Sequence, residues 1–117
     1  MDLFFQPIVS KHTIFVFTSD HGPWWEGSNG GLRGRKFETW DGGMRVPFLI
    51  SWPAMIPEGQ VITQPVATMD LLPTLCNLLS IEPDSSMPFD GEDISDLFMK
   101  GSIKDHGPIW YFDAFSL

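Results

Sequence analysis

The chain is poor in cysteine and in positive charge. Among its 117 residues Cys76 is the single cysteine, which excludes an intramolecular disulfide and any zinc cluster built on several thiolates. Lysine and arginine total 7 against 15 aspartates and glutamates, for a formal net charge of −8 and a pI near 4.5. Recognition of a nucleic-acid backbone needs an extended basic face, so no nucleic-acid partner is expected. The basic residues that do gather, Arg33, Arg35 and Lys36, suit a local anion site instead. No apolar run approaches the roughly 20 residues that cross a bilayer, and no membrane partner is expected. Residues 1–10 carry Leu3, Phe4 and Phe5, but Asp2, Gln6 and Pro7 interrupt them and no basic residue precedes them, so no export signal is expected. Internal repeats and low-complexity tracts are also lacking.

What is present is the composition of a folded chain. Hydrophobic residues make up 43%, aromatic residues 14% and charged residues 19%, which argues against intrinsic disorder. A chain of this length forms one domain or part of one and buries about two-thirds of its unfolded surface.

Residues 12–18 are nearly all apolar and predict a strand covered on both faces. A glycine-dense loop follows over residues 19–46, and its Trp24, Trp25, Leu32, Phe37 and Trp40 favour an ordered one. Residues 47–52 predict a second buried strand, opened by Pro47 and stopped by Pro53. Residues 61–67 alternate in a way that suits a short strand. Apolar positions 71, 72, 75, 78 and 79 have helical spacing, with a regular helix from Pro73 and a tighter lead-in over residues 69–72. Cys76 falls in that helix as a packing residue. Residues 93–100 predict a short helix ended by Gly101, and residues 109–112 a final strand.

In α/β sheets ligands bind where strands run into loops. The stretch TIFVFTSDHGP places Asp20 and His21 at such an end, with Gly22 turning the backbone away. A carboxylate beside an imidazole supplies oxygen and nitrogen ligands to a divalent cation, although the same residues also make an ordinary solvated turn. In the segment GLRGRKFETWDGGMR, residues 31–45, Lys36 presents an ammonium that can bind a sulfate or phosphate oxygen, and the amides of a glycine-rich loop can join it. The alternative there is a solvated basic turn. The Walker and Rossmann glycine patterns are absent. The acidic DGED at residues 90–93 lacks the spacing of a calcium-binding EF loop and reads as a turn and helix start. His12 and His106 stand isolated in the sequence, as structural or exposed residues. Trp24, Trp25 and Trp40 can stack on a sugar, core packing being the commoner role.

Taken in order, TIFVFTSDHGP, GSNGGLRGRKFETWDGGMRVPFLISWP and MDLLPTL resemble the type I sulfatases, in particular the arylsulfatase and N-acetylgalactosamine-sulfatase branch of the alkaline-phosphatase-like superfamily. The resemblance covers residues 13–112 and leaves residues 1–12 as a non-matching segment, so residues 13–117 are expected to form part of an α/β sulfatase core, a mixed sheet flanked by helices and incomplete here. The family's strand-end residues, here Asp20 and His21, help hold calcium or magnesium, and its glycine-rich segment places a lysine, here Lys36, on the sulfate. Asp41 to Arg45 look like the family's Glu-Gly-Gly-x-Arg segment, a structural element that places the Lys36 loop. Asp70 and Pro73 match a helix of the same core. The resemblance implies hydrolysis of a sulfated small molecule or carbohydrate, and a lysosomal, periplasmic or secreted setting.

The family's nucleophile is a formylglycine made from Cys or Ser in Cys/Ser-x-Pro-x-Arg, a motif missing from these residues, as are the paired aspartates of the family's N-terminal metal motif. The isolated chain is therefore expected to be inactive. Two further readings follow. One is a non-catalytic fragment that pairs with a missing N-terminal half or with itself, and the other is a phosphate-ester hydrolase of the same superfamily.

Overall fold

Alternating side chains govern the first element, a two-stranded antiparallel sheet of β1, Phe15–Thr18, and β2, Phe48–Ser51. The register pairs Phe15 with Ser51, Val16 with Ile50, Phe17 with Leu49 and Thr18 with Phe48. One face, Val16, Thr18, Phe48 and Ile50, is half-buried, while Phe15, Phe17, Leu49 and Ser51 are exposed. The expectation of strands covered on both faces is thereby corrected. The alternation of a one-sided ribbon is present, and the near-continuous apolar run had hidden it. Among the described residues the sheet is likewise narrower than the mixed sheet that the resemblance implies.

The structure, a computed structural model, describes residues 11–103 and 105–110. It divides into two units, one holding residues 11–52 and Trp110, the other Pro53–Ile109. Among the described residues no helix is long and apolar enough to cross a membrane.

In the first unit the loop between β1 and β2 is ordered, as its aromatic content predicts, and contains a helical turn the sequence did not announce. This is α1, Asp41–Met44. Its sequence DGGM has poor helix propensity, so the turn is imposed by the contacts described below.

The second unit is built around a carboxylate. A 3₁₀ turn, Thr68–Asp70, leads into α2, Leu71–Leu78, and α3 follows at Ser95–Lys100. The regular helix thus begins two residues before Pro73. Proline is tolerated there because N–H groups of the first turn have no intrahelical acceptor. α3 begins at Ser95 rather than at 93, because Asp93 Oδ1 accepts the Ser95 N–H at 2.9 Å. It ends as expected on Gly101, whose φ of 79° is the left-handed cap conformation that glycine adopts without a Cβ penalty.

Asp70 is fully buried. Its Oδ2 accepts the Ala67 N–H at 2.7 Å and faces His106 Nε2 at 2.9 Å, while Oδ1 accepts the Glu92 N–H at 2.9 Å. Its backbone carbonyl accepts the Thr74 hydroxyl at 2.6 Å, and that hydroxyl oxygen accepts the Ile94 N–H at 3.0 Å. Ile94, Leu97 and Phe98 fill the apolar core around this network. Gly91 is required beside it, since a Cβ there would meet the Met69 carbonyl and the Asp70 nitrogen.

Two expectations fail in this unit. Residues 61–67 form no strand: Val61 is 90% exposed, Pro65 removes a ladder donor, and the Ala67 amide is committed to Asp70. His106 is structural, as one of its two expected readings has it, but not isolated, for it reaches the buried carboxylate with a side chain only 8% exposed. Ile109 and Trp110 are irregular, and the rest of the predicted final strand lies outside the described residues.

Burial pulls the His106 pKa down. The Gly107 carbonyl, the Asp70 hydrogen bond and the charges of Asp70 and Glu92 together outweigh it and hold the pKa above its ordinary 6.5. A raised folded-state pKa adds stability that is full below 6.5 and is lost as pH rises through the raised value. The urea midpoint is accordingly expected to fall as pH rises past 6.5, and the slope to flatten in His106→Gln. Asp70→Ala should cost about 3 kcal/mol, since it removes a fully buried carboxylate that holds two backbone amides and the imidazole. An unchanged pH slope in the histidine variant would rule out this linkage.

Candidate functional site

β1 delivers the chain into a turn whose backbone is in contact with backbone. Gly22 is buried, and its N–H donates to the Gly43 carbonyl at 2.7 Å. A Cβ on Gly22 would collide with the Gly42 carbonyl, one on Gly42 with the carbonyls of Gly34 and Arg33, and one on Gly43 with those of Glu38 and Arg35. The Gly42 N–H donates to the Arg33 carbonyl at 2.6 Å, and the Lys36 N–H to the Pro23 carbonyl at 3.0 Å. Residues 20–23 and the Lys36 loop are thereby held side by side, with α1 as the wedge between them. The structural role expected of residues 41–45 agrees with this arrangement.

Asp20 and His21 sit just before that contact. His21 Nδ1 donates to the Gly22 carbonyl at 2.9 Å, and its Nε2 lies 2.8 Å from Asp20 Oδ2. A neutral imidazole that donates through Nδ1 carries a lone pair on Nε2, which can share a cation with a neighbouring carboxylate. Metal-bound histidines commonly have their other ring N–H fixed by a backbone carbonyl, as His21 does here. The pair fits a divalent cation in donor type, but a hard cation takes about six to eight ligands. Among the described residues no group of three or more His, Cys, Asp or Glu side chains comes together to hold one.

Lys36 lies in a tight turn, residues 35–38, closed by the Glu38 N–H donating to the Arg35 carbonyl at 2.9 Å. Phe37, at the third position, has φ of 71°, the conformation of a type II turn that favours glycine. The Lys36 ammonium lies 5.1 Å from the centroid of the Phe37 ring and makes no ion pair among the described residues. The expected contribution of loop amides to an anion site is not met at five positions. Gly30, Gly31, Leu32, Arg35 and Lys36 all donate their N–H groups within the loop or to Pro23. The positive charge of Lys36 is left to act through its side chain.

Arg33 and Arg35 serve the loop itself. The Arg33 guanidinium stacks 3.4 Å from the centroid of Trp40, and Arg35 donates to the carbonyls of Trp24 and Trp25 at 2.9 and 3.1 Å. Asn29 Nδ2 bridges the carbonyls of Leu32 and Gly34 at 2.6 and 2.8 Å. Trp24, Trp25 and Trp40 are exposed, so the packing role expected for them is not what is seen. Asp20 pairs with His21, and the His21 ring and the Lys36 ammonium both lie against the Phe37 ring. Phe37, which lies against both His21 and Lys36, was missed as a site residue, because its positive φ leaves no mark in sequence.

Substituting Gly22→Ala or Gly42→Ala should lower stability by about 2 kcal/mol or more through overpacking. The denaturation midpoint is the measurement. Wild-type stability in both variants would show that the backbone contact is not needed.

The sulfatase family profile matches residues 3–81, beginning upstream of the resemblance that opens at residue 13. Steryl-sulfatase of Rattus norvegicus is 38% identical over 101 residues, covering 78% of this chain and 18% of the relative. N-acetylgalactosamine-6-sulfatase of Mus musculus is 39% identical over 110 residues, 89% of this chain and 21% of the relative. Arylsulfatase of Hemicentrotus pulcherrimus is 33% identical over 109 residues, 89% of this chain and 20% of the relative. The chain spans about a fifth of the length of these curated relatives. With a strand-end Asp-His pair, a lysine turn and a glycine contact that joins them, and with the family profile running through all three, the chain belongs to the sulfatase family.

Proposed function

We propose that this chain supplies the cation-facing and sulfate-facing loops of a sulfate monoester hydrolase. The observation that carries this reading is that the Lys36 ammonium, without an ion pair among the described residues, and the ring of His21, paired with Asp20, lie against the same Phe37 ring. Asp20 and His21 would provide two ligands of a calcium or magnesium ion, the remaining donors coming from elsewhere. Such a cation neutralises charge on the sulfate oxygens. Lys36 would bind a sulfate oxygen and stabilise charge that develops toward the leaving oxygen. Attack on sulfur needs a nucleophile, a formylglycine by resemblance, that these residues do not include, and hydrolysis by the chain alone is expected to be negligible. Isothermal titration with inorganic sulfate in calcium tests the reading. Lys36→Ala should weaken binding by about tenfold or more, as expected for a hydrogen bond to a charged group, and Asp20→Asn should weaken calcium binding. Sulfate affinity indifferent to Lys36 would overturn it, and tighter binding of inorganic phosphate than of sulfate would favour the phosphate-ester alternative.

A second reading rests on the sheet. Phe15, Phe17 and Leu49 are 61%, 52% and 59% exposed on one face of the ribbon, an apolar surface that invites association. The proposed partner is a further sulfatase segment, or a second copy where none is supplied. Size-exclusion chromatography should show concentration-dependent association, reduced in Phe17→Lys. A monomer at all concentrations would remove this reading.

A further inference from the structure

The loop that carries Lys36 also holds an aromatic surface that folding does not account for. Phe37 keeps a left-handed φ of 71°, which costs about 1 kcal/mol or more for a bulky residue. Its ring is 78% exposed, so burial does not offset that cost. Strain retained on an exposed side chain points to a role outside the fold. The Phe37 ring stands edge-on to Trp24 at 5.6 Å, and Trp24 edge-on to Trp25 at 5.9 Å, the two tryptophans being 53% and 72% exposed. Arg35 fixes the backbone under both by donating to their carbonyls. At the other end of this row, the Phe37 ring lies 6.1 Å from the His21 ring and 5.1 Å from the Lys36 ammonium.

We propose that Phe37, Trp24 and Trp25 form a specificity-determining platform for the alcohol portion of the ester, and that they select a planar apolar group. The inference rests on the anion-binding reading of Lys36. An ester whose sulfate faces Lys36 and His21 has Phe37 as its nearest neighbour beyond the anion, and the tryptophans continue the surface outward. Aromatic faces reward flat apolar groups. A sugar would also need polar side chains for its hydroxyls, and beside the rings Arg35 Nη1 is spent on the two carbonyls while Glu38 Oε2 accepts the Arg35 N–H at 3.0 Å.

Calorimetric titration of the chain in calcium with inorganic sulfate, 2-naphthyl sulfate, 2-naphthol and galactosamine 6-sulfate tests the platform. Two variants keep the fold intact: Trp25→Ala removes an exposed ring, and Phe37→Gly suits the positive φ. 2-Naphthyl sulfate should bind about tenfold more tightly than inorganic sulfate. Trp25→Ala should lose most of that gain with inorganic sulfate affinity unchanged, and Phe37→Gly should lose it when 2-naphthyl sulfate is compared with inorganic sulfate on the same variant. A gain that survives in both variants, or an equal gain with galactosamine 6-sulfate, overturns the platform while leaving the sulfate site standing. If inorganic sulfate does not bind at all, the Lys36 reading fails by itself. The platform is then judged on 2-naphthol, which supports it if bound and lost in Trp25→Ala and overturns it if not bound.

Discussion

Everything in the first unit depends on a contact in which no side chain takes part. Gly22 meets Gly42 and Gly43 backbone to backbone, and Gly42 and Gly43 in turn meet the carbonyls of residues 33–38. Three residues without a Cβ allow the strand-end turn and the lysine loop to approach closely enough to exchange main-chain hydrogen bonds. A side chain at any of them would push the two segments apart and separate an acid and an imidazole from the ammonium they accompany. The helical turn α1 is a product of the same contact, since its own sequence would not form it.

The two described histidines with carboxylate partners show how similar bonding serves different ends. His21 and His106 each place Nδ1 against the next residue's carbonyl and Nε2 against an aspartate. Around His106 the aspartate is fully buried and receives two backbone amides, so its charge is matched from every side and the pair acts as an internal clamp. Around His21 the aspartate is 76% exposed, and its hydrogen-bonding capacity is mostly unspent. Burial turns one pair into scaffold, and exposure leaves the other able to take a ligand.

Much of this was legible in the residues. The strand ends, the ordered loop, the helix with its tightened lead-in and the glycine stop at position 101 all have local causes, in patterning, proline chemistry and the conformational freedom of glycine. Asp20, His21 and Lys36 could be singled out as candidates because their order along the chain is distinctive. What escaped had distant causes. Residues 61–67 alternate like a strand, yet the amide at its end is claimed by a carboxylate across a turn. His106 looks solitary because its partner lies 36 residues away. Phe37 looks like a core residue because nothing in its type reveals a left-handed backbone.

The Asp70 carboxylate has a consequence for the order in which the second unit assembles. Its nearest donor, Ala67, is local, whereas Glu92 and His106 lie 22 and 36 residues away. The first bond forms with the turn itself, but the others wait for loops to close, and the entropy of closure must be met before they return anything. During synthesis the 3₁₀ turn and α2 leave the ribosome well ahead of His106. For that interval the carboxylate has to remain hydrated, which keeps the surrounding apolar residues from closing over it. The last partner to arrive therefore sets the moment at which this half of the chain can become dry inside.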